Sequence, residues 1–194
     1  FGEVASNLDK GYAWLTGVVS SLTPKFSTII LYRDYQKDYH SFFSQTVGET
    51  AGTNNEKGMY AGIVFHPSRK IQWTTYFDMF KFPWLRYRAS APSSGYDILS
   101  QFSYIWYKKG QLSLRFRYRL REENSSLLTT SEDLLAEVKK YQIRLEYKYK
   151  LNDVWSIRTR AEGIQYQKEF DDKEYGLMLY QDVFWAPKRS KLSA

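Results

Sequence analysis

The feature that most constrains the fold is a period-two alternation of side-chain polarity over long segments. Apolar or aromatic side chains occupy every even position from Leu112 to Leu120, and arginine occupies every odd position from Arg115 to Arg121. Residues 140–151 repeat the pattern, with Tyr, Ile or Leu at the odd positions and polar side chains at the even ones. A helix would scatter both sets around its circumference, so these segments are predicted to be β-strands with one apolar and one polar face.

Weaker alternation extends the prediction to nine strands, near 11–22, 26–36, 57–66, 70–80, 96–108, 111–122, 139–150, 153–167 and 174–186. Strands of ordinary globular proteins centre near five or six residues. These segments instead match the 9–11 residues with which a tilted strand crosses a bilayer. No apolar run approaches the roughly 20 residues of a transmembrane helix. The pattern therefore favours strands that cross a membrane.

The connections between these segments alternate in length. Short ones fall at 23–25, 66–69, 108–110 and 152–153, and long ones at 37–56, 81–95 and 123–138, with a shorter one at 168–173. Outer-membrane barrels have short periplasmic turns and long outer loops. If 7–10 is a further outer turn, Phe1–Ala5 ends an earlier strand and the count becomes ten.

The predicted fold class is all-β, an antiparallel up-and-down transmembrane β-barrel of about ten strands. Residues 1–194 are interpreted as a single barrel segment without a second domain. Residues 186–189 read as another periplasmic turn, and the chain lacks a terminal aromatic residue. A contiguous part of a larger barrel is therefore favoured over a closed ten-strand barrel. With Phe1 in place of Met and no signal-peptide pattern, the chain is interpreted as a mature protein or an excised segment.

Aromatic residues make up 18% of the chain and cluster near the predicted strand ends. Trp and Tyr favour the headgroup layer, so two aromatic girdles are predicted. The simpler alternative is that aromatic residues are good strand formers. The girdle near the short turns comprises Trp73, Trp106, Tyr149, Trp155 and Trp185, and the one near the long loops comprises Tyr35, Phe80, Trp84, Tyr96, Tyr141, Tyr166 and Tyr175.

Three segments resemble a known family: Tyr35–Phe43 (YQKDYHSFF), Thr53–Gly58 (TNNEKG) and Phe82–Pro92 (FPWLRYRASAP). They are similar to the C-terminal barrel-like region of large helix-hairpin-helix-containing proteins of the Bacteroidota, from Phe1 to about Arg121. In that family a helix-hairpin-helix region precedes the barrel, which implies that this segment belongs to a longer protein. No helix-hairpin-helix motif occurs in the 194 residues, so DNA binding is not carried over to them.

The polar faces predict a charged lumen wall in a chain of net charge +7. Opposite charges on adjacent strands attract when they lie across from each other. One interpretation is a solvated wall with internal ion pairs, and the other is a basic surface that attracts anionic solutes, lipopolysaccharide headgroups or an acidic partner. The predicted wall comprises Arg115, Arg117, Arg119, Arg121, Arg144, Lys148, Arg158 and Arg160 together with Glu146 and Glu162.

The three long connections have their own predictions. The 37–56 and 82–92 loops are expected to pack their aromatic residues on the barrel rim, although long loops often carry function. Residues 131–138 have acids early and Lys139–Lys140 after them, a pattern that suits a short helix.

Catalytic, cofactor and metal sites are not expected. His40 and His66 are the only imidazoles and there is no Cys, so neither a nucleophile–base pair nor a thiolate metal site is indicated. No glycine-rich phosphate loop occurs. Nucleic-acid binding is not expected, because cations and aromatic residues fall on opposite faces of the same strands, whereas stacking platforms need both on one face.

The leading hypothesis is an integral protein of the outer membrane of a Gram-negative bacterium, acting in channel transport or as a structural or assembly component. Its expected partners are outer-membrane lipid and lipopolysaccharide, with other outer-membrane or periplasmic proteins as further candidates. The alternatives are a soluble antiparallel β-barrel that binds an apolar or anionic ligand, and an enzyme built on the barrel. The apolar residues at even positions from 112 to 120 distinguish the first two hypotheses. A soluble β-protein should bury them under a second sheet or a helix, whereas a membrane barrel should expose them to detergent.

Overall fold

The computed structural model describes residues 1–7, 11–41, 47–50, 52–125 and 135–186, which form ten strands and no helix. Each strand pairs antiparallel with the next one in sequence, so all ten lie in one sheet in chain order. The predicted all-β meander and its ten strands are confirmed. The strands are β1 (Gly2–Ser6), β2 (Tyr12–Thr23), β3 (Phe26–Tyr35), β4 (Glu56–Ser68), β5 (Ile71–Phe82), β6 (Ser93–Trp106), β7 (Gly110–Asn124), β8 (Leu135–Lys150), β9 (Trp155–Lys168) and β10 (Glu174–Trp185).

The short helix predicted at 131–138 is wrong for its second half. Residues 135–138 belong to β8, where Leu135 pairs with Asn124 and Val138 pairs with both Arg121 and Lys168. An isolated helix this short is marginal in water, and backbone pairing to strands on both sides is the more stable alternative. Ser131–Leu134 lie outside the described residues.

The turn predicted at 66–69 is shorter and later in the chain. β4 continues through His66 and Pro67 to Ser68, and β5 begins at Ile71. The register between β4 and β5 shifts between Phe65 and Ser68. An irregularity of this kind accommodates proline in a strand, because proline cannot donate a ladder hydrogen bond.

The short turn between β8 and β9 shows the chemistry expected of its sequence. The Asn152 side-chain oxygen accepts hydrogen bonds from the backbone N–H of Val154 at 2.9 Å and of Trp155 at 2.8 Å. Asparagine is favoured at such positions because its short side chain mimics a backbone turn. The turn therefore stops β8 and starts β9 without a long loop.

The strand register divides the side chains into two faces. Residues directly opposite each other share a face, so pairing can be followed across the sheet. We call the outer face the one that contains the row Ile30, Ala61, Phe77, Ile98, Tyr118, Tyr141, Gln165 and Tyr175. The inner face contains the row Leu31, Tyr60, Asp78, Asp97, Arg119, Lys140, Tyr166 and Glu174.

Burial is concentrated on the inner face, where Phe80 and Phe82 are buried beside charged side chains. Among the described residues no second sheet or helix covers the outer face. The sheet is open, because β1 pairs only with β2 and β10 only with β9 in the described part of the chain. The described residues contain no helix that is long and apolar enough to cross a membrane.

Candidate functional site on the inner face

The structure places all ten residues of the predicted charged wall on the inner face of β7, β8 and β9. Glu162 lies directly opposite Arg144, and Glu146 lies directly opposite Arg160. The Arg144 Nε–Glu162 distance is 2.6 Å and the Arg160 Nε–Glu146 distance is 2.8 Å. Lys148 Nζ also reaches Glu146 at 2.9 Å. Opposite charges therefore pair across β8 and β9, as cross-strand pairing favours.

Asp97 of β6 is an acidic partner of this wall that sequence reasoning had not singled out. Arg117 Nε donates to Asp97 at 2.9 Å, and Arg119 Nη2 donates to it at 2.8 Å. Asp97 lies opposite Arg119 in the register and is almost fully buried. The alternation of Asp97 with apolar residues at 96, 98 and 102 indicated that Asp97 lies on the polar face. Its arginine partners became known only from the strand register.

A second charged cluster, also missed by sequence reasoning, lies on β3, β4 and β5. Arg33 Nε donates to Glu56 at 2.7 Å, and its two terminal nitrogens reach Asp78 at 2.8 and 3.2 Å. Arg33 and Glu56 are 0% exposed. Charges buried this deeply are tolerated only when they are paired and hydrogen-bonded, and here each carboxylate has the guanidinium as its partner.

Gly58 makes room for the Arg33 guanidinium. A Cβ added at Gly58 would lie 2.5 Å from Arg33 Cζ, and Arg33 is held by two carboxylates and cannot simply swing away. We expect Gly58→Ala to lower the free energy of unfolding by about 1–3 kcal/mol, as overpacking does. The measurement is the midpoint of chemical unfolding in detergent. Gly163→Ala is the matched control, because a Cβ there meets nothing within 4 Å; equal midpoints for both variants would contradict the close fit.

The loop after β3 reaches the inner face instead of packing only on the rim. The Tyr35 hydroxyl donates to the Val47 carbonyl at 2.9 Å, and the backbone N–H of Glu49 donates to Glu56 at 3.0 Å. The Glu49 carboxylate lies 3.6 Å from Arg119 and forms an ion pair with Arg121. This loop therefore supplies an acid to the end of the charged wall, which strand periodicity could not predict.

Tyr39 of the same loop lies buried against Ala13 and Tyr35, where β2 begins and β3 ends. Of the predicted long-loop girdle, Tyr35, Phe80 and Tyr166 lie on the inner face, so their assignment to a lipid-facing girdle is wrong. Near these strand ends the alternation of polar and apolar residues is weak, so the sequence did not show on which face each aromatic side chain lies. Tyr96, Tyr141 and Tyr175 lie on the outer face as the girdle requires.

The loop between β5 and β6 is tied down at both sides. Trp84 N–H donates to the Asn55 side chain at 2.8 Å, and Ser90 N–H donates to the Asn124 side chain at 2.8 Å. Arg86 donates to the Glu122 carbonyl at 2.8 Å and stacks over the Phe82 ring. Burial lowers the pKa of the Arg86 guanidinium, but arginine remains charged at any physiological pH.

The short-turn ends carry aromatic residues on the outer face. Trp73, Trp106, Tyr149, Trp155 and Trp185 all lie there, and the rings of Trp155 and Trp185 are 6.2 Å apart. A cavity of about 660 Å³ opens at this end of the sheet, and its lining includes Trp106, Tyr149 and Trp155 together with Lys108, Lys109 and Lys150.

The histidines lie outside the charged wall. His40 is exposed after β3, and His66 is exposed in β4. Among the described residues, no three His, Cys, Asp or Glu side chains form a group that could hold a metal ion. The charges that the inner face carries on β7, β8 and β9 are those of Arg, Lys and Glu side chains.

The fold and site define a ten-stranded antiparallel sheet with a charged inner face and an apolar outer face. Comparison with known proteins matches no family model, no curated relative and no solved structure.

Proposed function

We propose that the chain forms part of an integral outer-membrane β-barrel of a Gram-negative bacterium, with a basic lumen wall that favours anionic solutes. The observation that carries this proposal is that aliphatic side chains are exposed on one face and charged side chains are buried on the other, the reverse of a soluble protein. Leu114 is 49% exposed and Ile143 is 55% exposed on the outer face, whereas Arg33 is 0% and Asp97 2% exposed on the inner face. Soluble proteins bury aliphatic side chains and expose charged ones. A barrel in hydrocarbon has an apolar exterior and a polar interior.

Strand length and connection length support the same proposal. From β2 to β10 the strands contain 10 to 16 residues, at least the 9–11 that a tilted strand needs to cross a bilayer. The two-residue turns Pro24–Lys25 and Arg69–Lys70 lie at one end of the sheet. The long connections lie at the other end, which corresponds to the outer side of the membrane.

The proposed barrel contains more strands than these ten. β1 and β10 leave their outer edges without a partner among the described residues. An unpaired edge is costly in lipid, because backbone groups there find no water. We infer that further strands close the barrel, in agreement with the resemblance to the barrel-like region of the Bacteroidota family. Lipid and lipopolysaccharide are the proposed partners of the outer face.

Membrane fractionation of cells producing the full-length protein tests this proposal. We expect the protein in the outer-membrane fraction and a faster gel mobility before boiling than after it, because a closed barrel resists detergent at room temperature. The boiled sample is the control for the unfolded mobility. A protein that remains soluble without detergent would contradict the proposal, and the outer face would then be the core-facing side of a soluble β-protein.

A further inference from the structure

Two arginines that have one carboxylate partner between them lie at the centre of the charged wall. Arg115 of β7 is directly opposite Arg144 of β8 on the inner face. Like charges directly across from each other destabilise a sheet. Arg144 has Glu162 as its partner, but Arg115 Nε donates only to the neutral Gln101 side chain, at 2.7 Å, and forms no ion pair with any described residue.

A polar cavity of about 180 Å³ opens beside this pair. Its lining includes four cations, Arg115, Arg144, Lys148 and Arg160, and one acid, Glu146. Glu146 is already bonded to Lys148 and Arg160, and Glu162 to Arg144. Two carboxylates therefore face four cations, and two positive charges remain without a counter-charge from the described chain.

We propose that this cavity binds a doubly charged oxyanion of the phosphate type, as inorganic phosphate or the phosphate of a small soluble monoester. Two negative charges neutralise the excess. Guanidinium groups present paired N–H donors that match phosphate oxygens. The cavity volume of about 180 Å³ is room for one phosphate group. The ligand reaches it from the polar side, because the inner face lies across the sheet from the apolar outer face.

The role of this site in transport rests on the proposed barrel, but binding itself does not. The test is therefore a calorimetric titration of inorganic phosphate into the purified protein in non-ionic detergent, at constant ionic strength set with sodium chloride. We expect saturable binding of one phosphate per chain. Glycerol phosphate should compete, because it carries the same phosphate group.

Variants locate the site. Arg115→Gln removes a guanidinium that has no ion-pair partner among the described residues, and we expect phosphate affinity to fall about tenfold or more, as the loss of a charged hydrogen-bond donor implies. Arg115→Lys keeps the charge but loses the paired donors, so an intermediate loss is expected. Lys140→Gln is the matched control. It removes one cation from the inner face of β8 outside the cavity lining, and its effect should stay within about twofold because salt screens distant charges.

The outcomes separate the two proposals. Absence of saturable phosphate binding, or an equal loss in Lys140→Gln, would overturn the site even if the protein shows the heat-dependent mobility of a barrel. Phosphate binding that depends on Arg115 in a protein without that mobility shift would support the site and contradict the membrane barrel.

Discussion

Replacing Arg33 with methionine is expected to lower the free energy of unfolding by about 3–5 kcal/mol, the usual cost of removing one partner from a buried ion pair. Arg33 is 0% exposed and forms ion pairs with both Glu56 and Asp78. Without it, two carboxylates share the inner face with no guanidinium to compensate them. Chemical unfolding in detergent, followed by tryptophan fluorescence, measures the loss.

A neighbouring ion pair on the same strands provides the control. Lys57 binds Asp34 at 2.8 Å, but its side chain is half exposed on the outer face. Surface pairs contribute below about 1 kcal/mol, so Lys57→Met should change stability little. The triple variant Arg33→Met, Glu56→Gln, Asp78→Asn removes all three charges and should recover most of the loss, because a neutral cluster leaves no unpaired buried charge. Equal effects of Arg33→Met and Lys57→Met would show that the cluster is not desolvated.

The strands were predictable because their signal is local. Over residues 112–121 of β7 and 140–150 of β8, apolar and polar side chains alternate strictly. These segments could therefore be predicted as two-faced strands without knowing which strands lie beside them. The charged wall followed from the same alternation. The helix prediction was wrong for residues 135–138, because a few charges near a strand end are weaker evidence than backbone pairing with β7 and β9.

The buried cluster was not predictable in the same way. Glu56 lies 23 residues and Asp78 lies 45 residues after Arg33 in the chain, and only the strand register brings the three together. Glu56 fell within a predicted loop, so its role as the first residue of β4 was hidden. The path of Glu49 onto the inner face depends on backbone hydrogen bonds to Glu56, which no periodicity encodes.

Replacing Leu114 with arginine should have very different effects on stability in a membrane barrel and in a soluble protein. Leu114 lies on the outer face of β7, between Gly110 at the short-turn end and Tyr118 toward the long loops, and it is 49% exposed. In a barrel that position is near the middle of the hydrocarbon, where arginine costs about 2–4 kcal/mol. On a water-exposed sheet surface the same substitution usually changes stability by less than about 0.5 kcal/mol.

We therefore expect Leu114→Arg to reduce folding into lipid vesicles strongly, measured as the fraction of protein that shows the fast, unboiled gel mobility. Leu151→Arg is the control, since Leu151 is 58% exposed but lies in the short turn after β8, at the depth where arginine costs little. If the chain forms a membrane barrel, Leu114→Arg should fail to fold in vesicles and Leu151→Arg should fold. If both variants fold as well as the parent protein, the outer face does not contact hydrocarbon. Its exposed aliphatic residues then require a protein partner, because an apolar face of this extent is not stable in water.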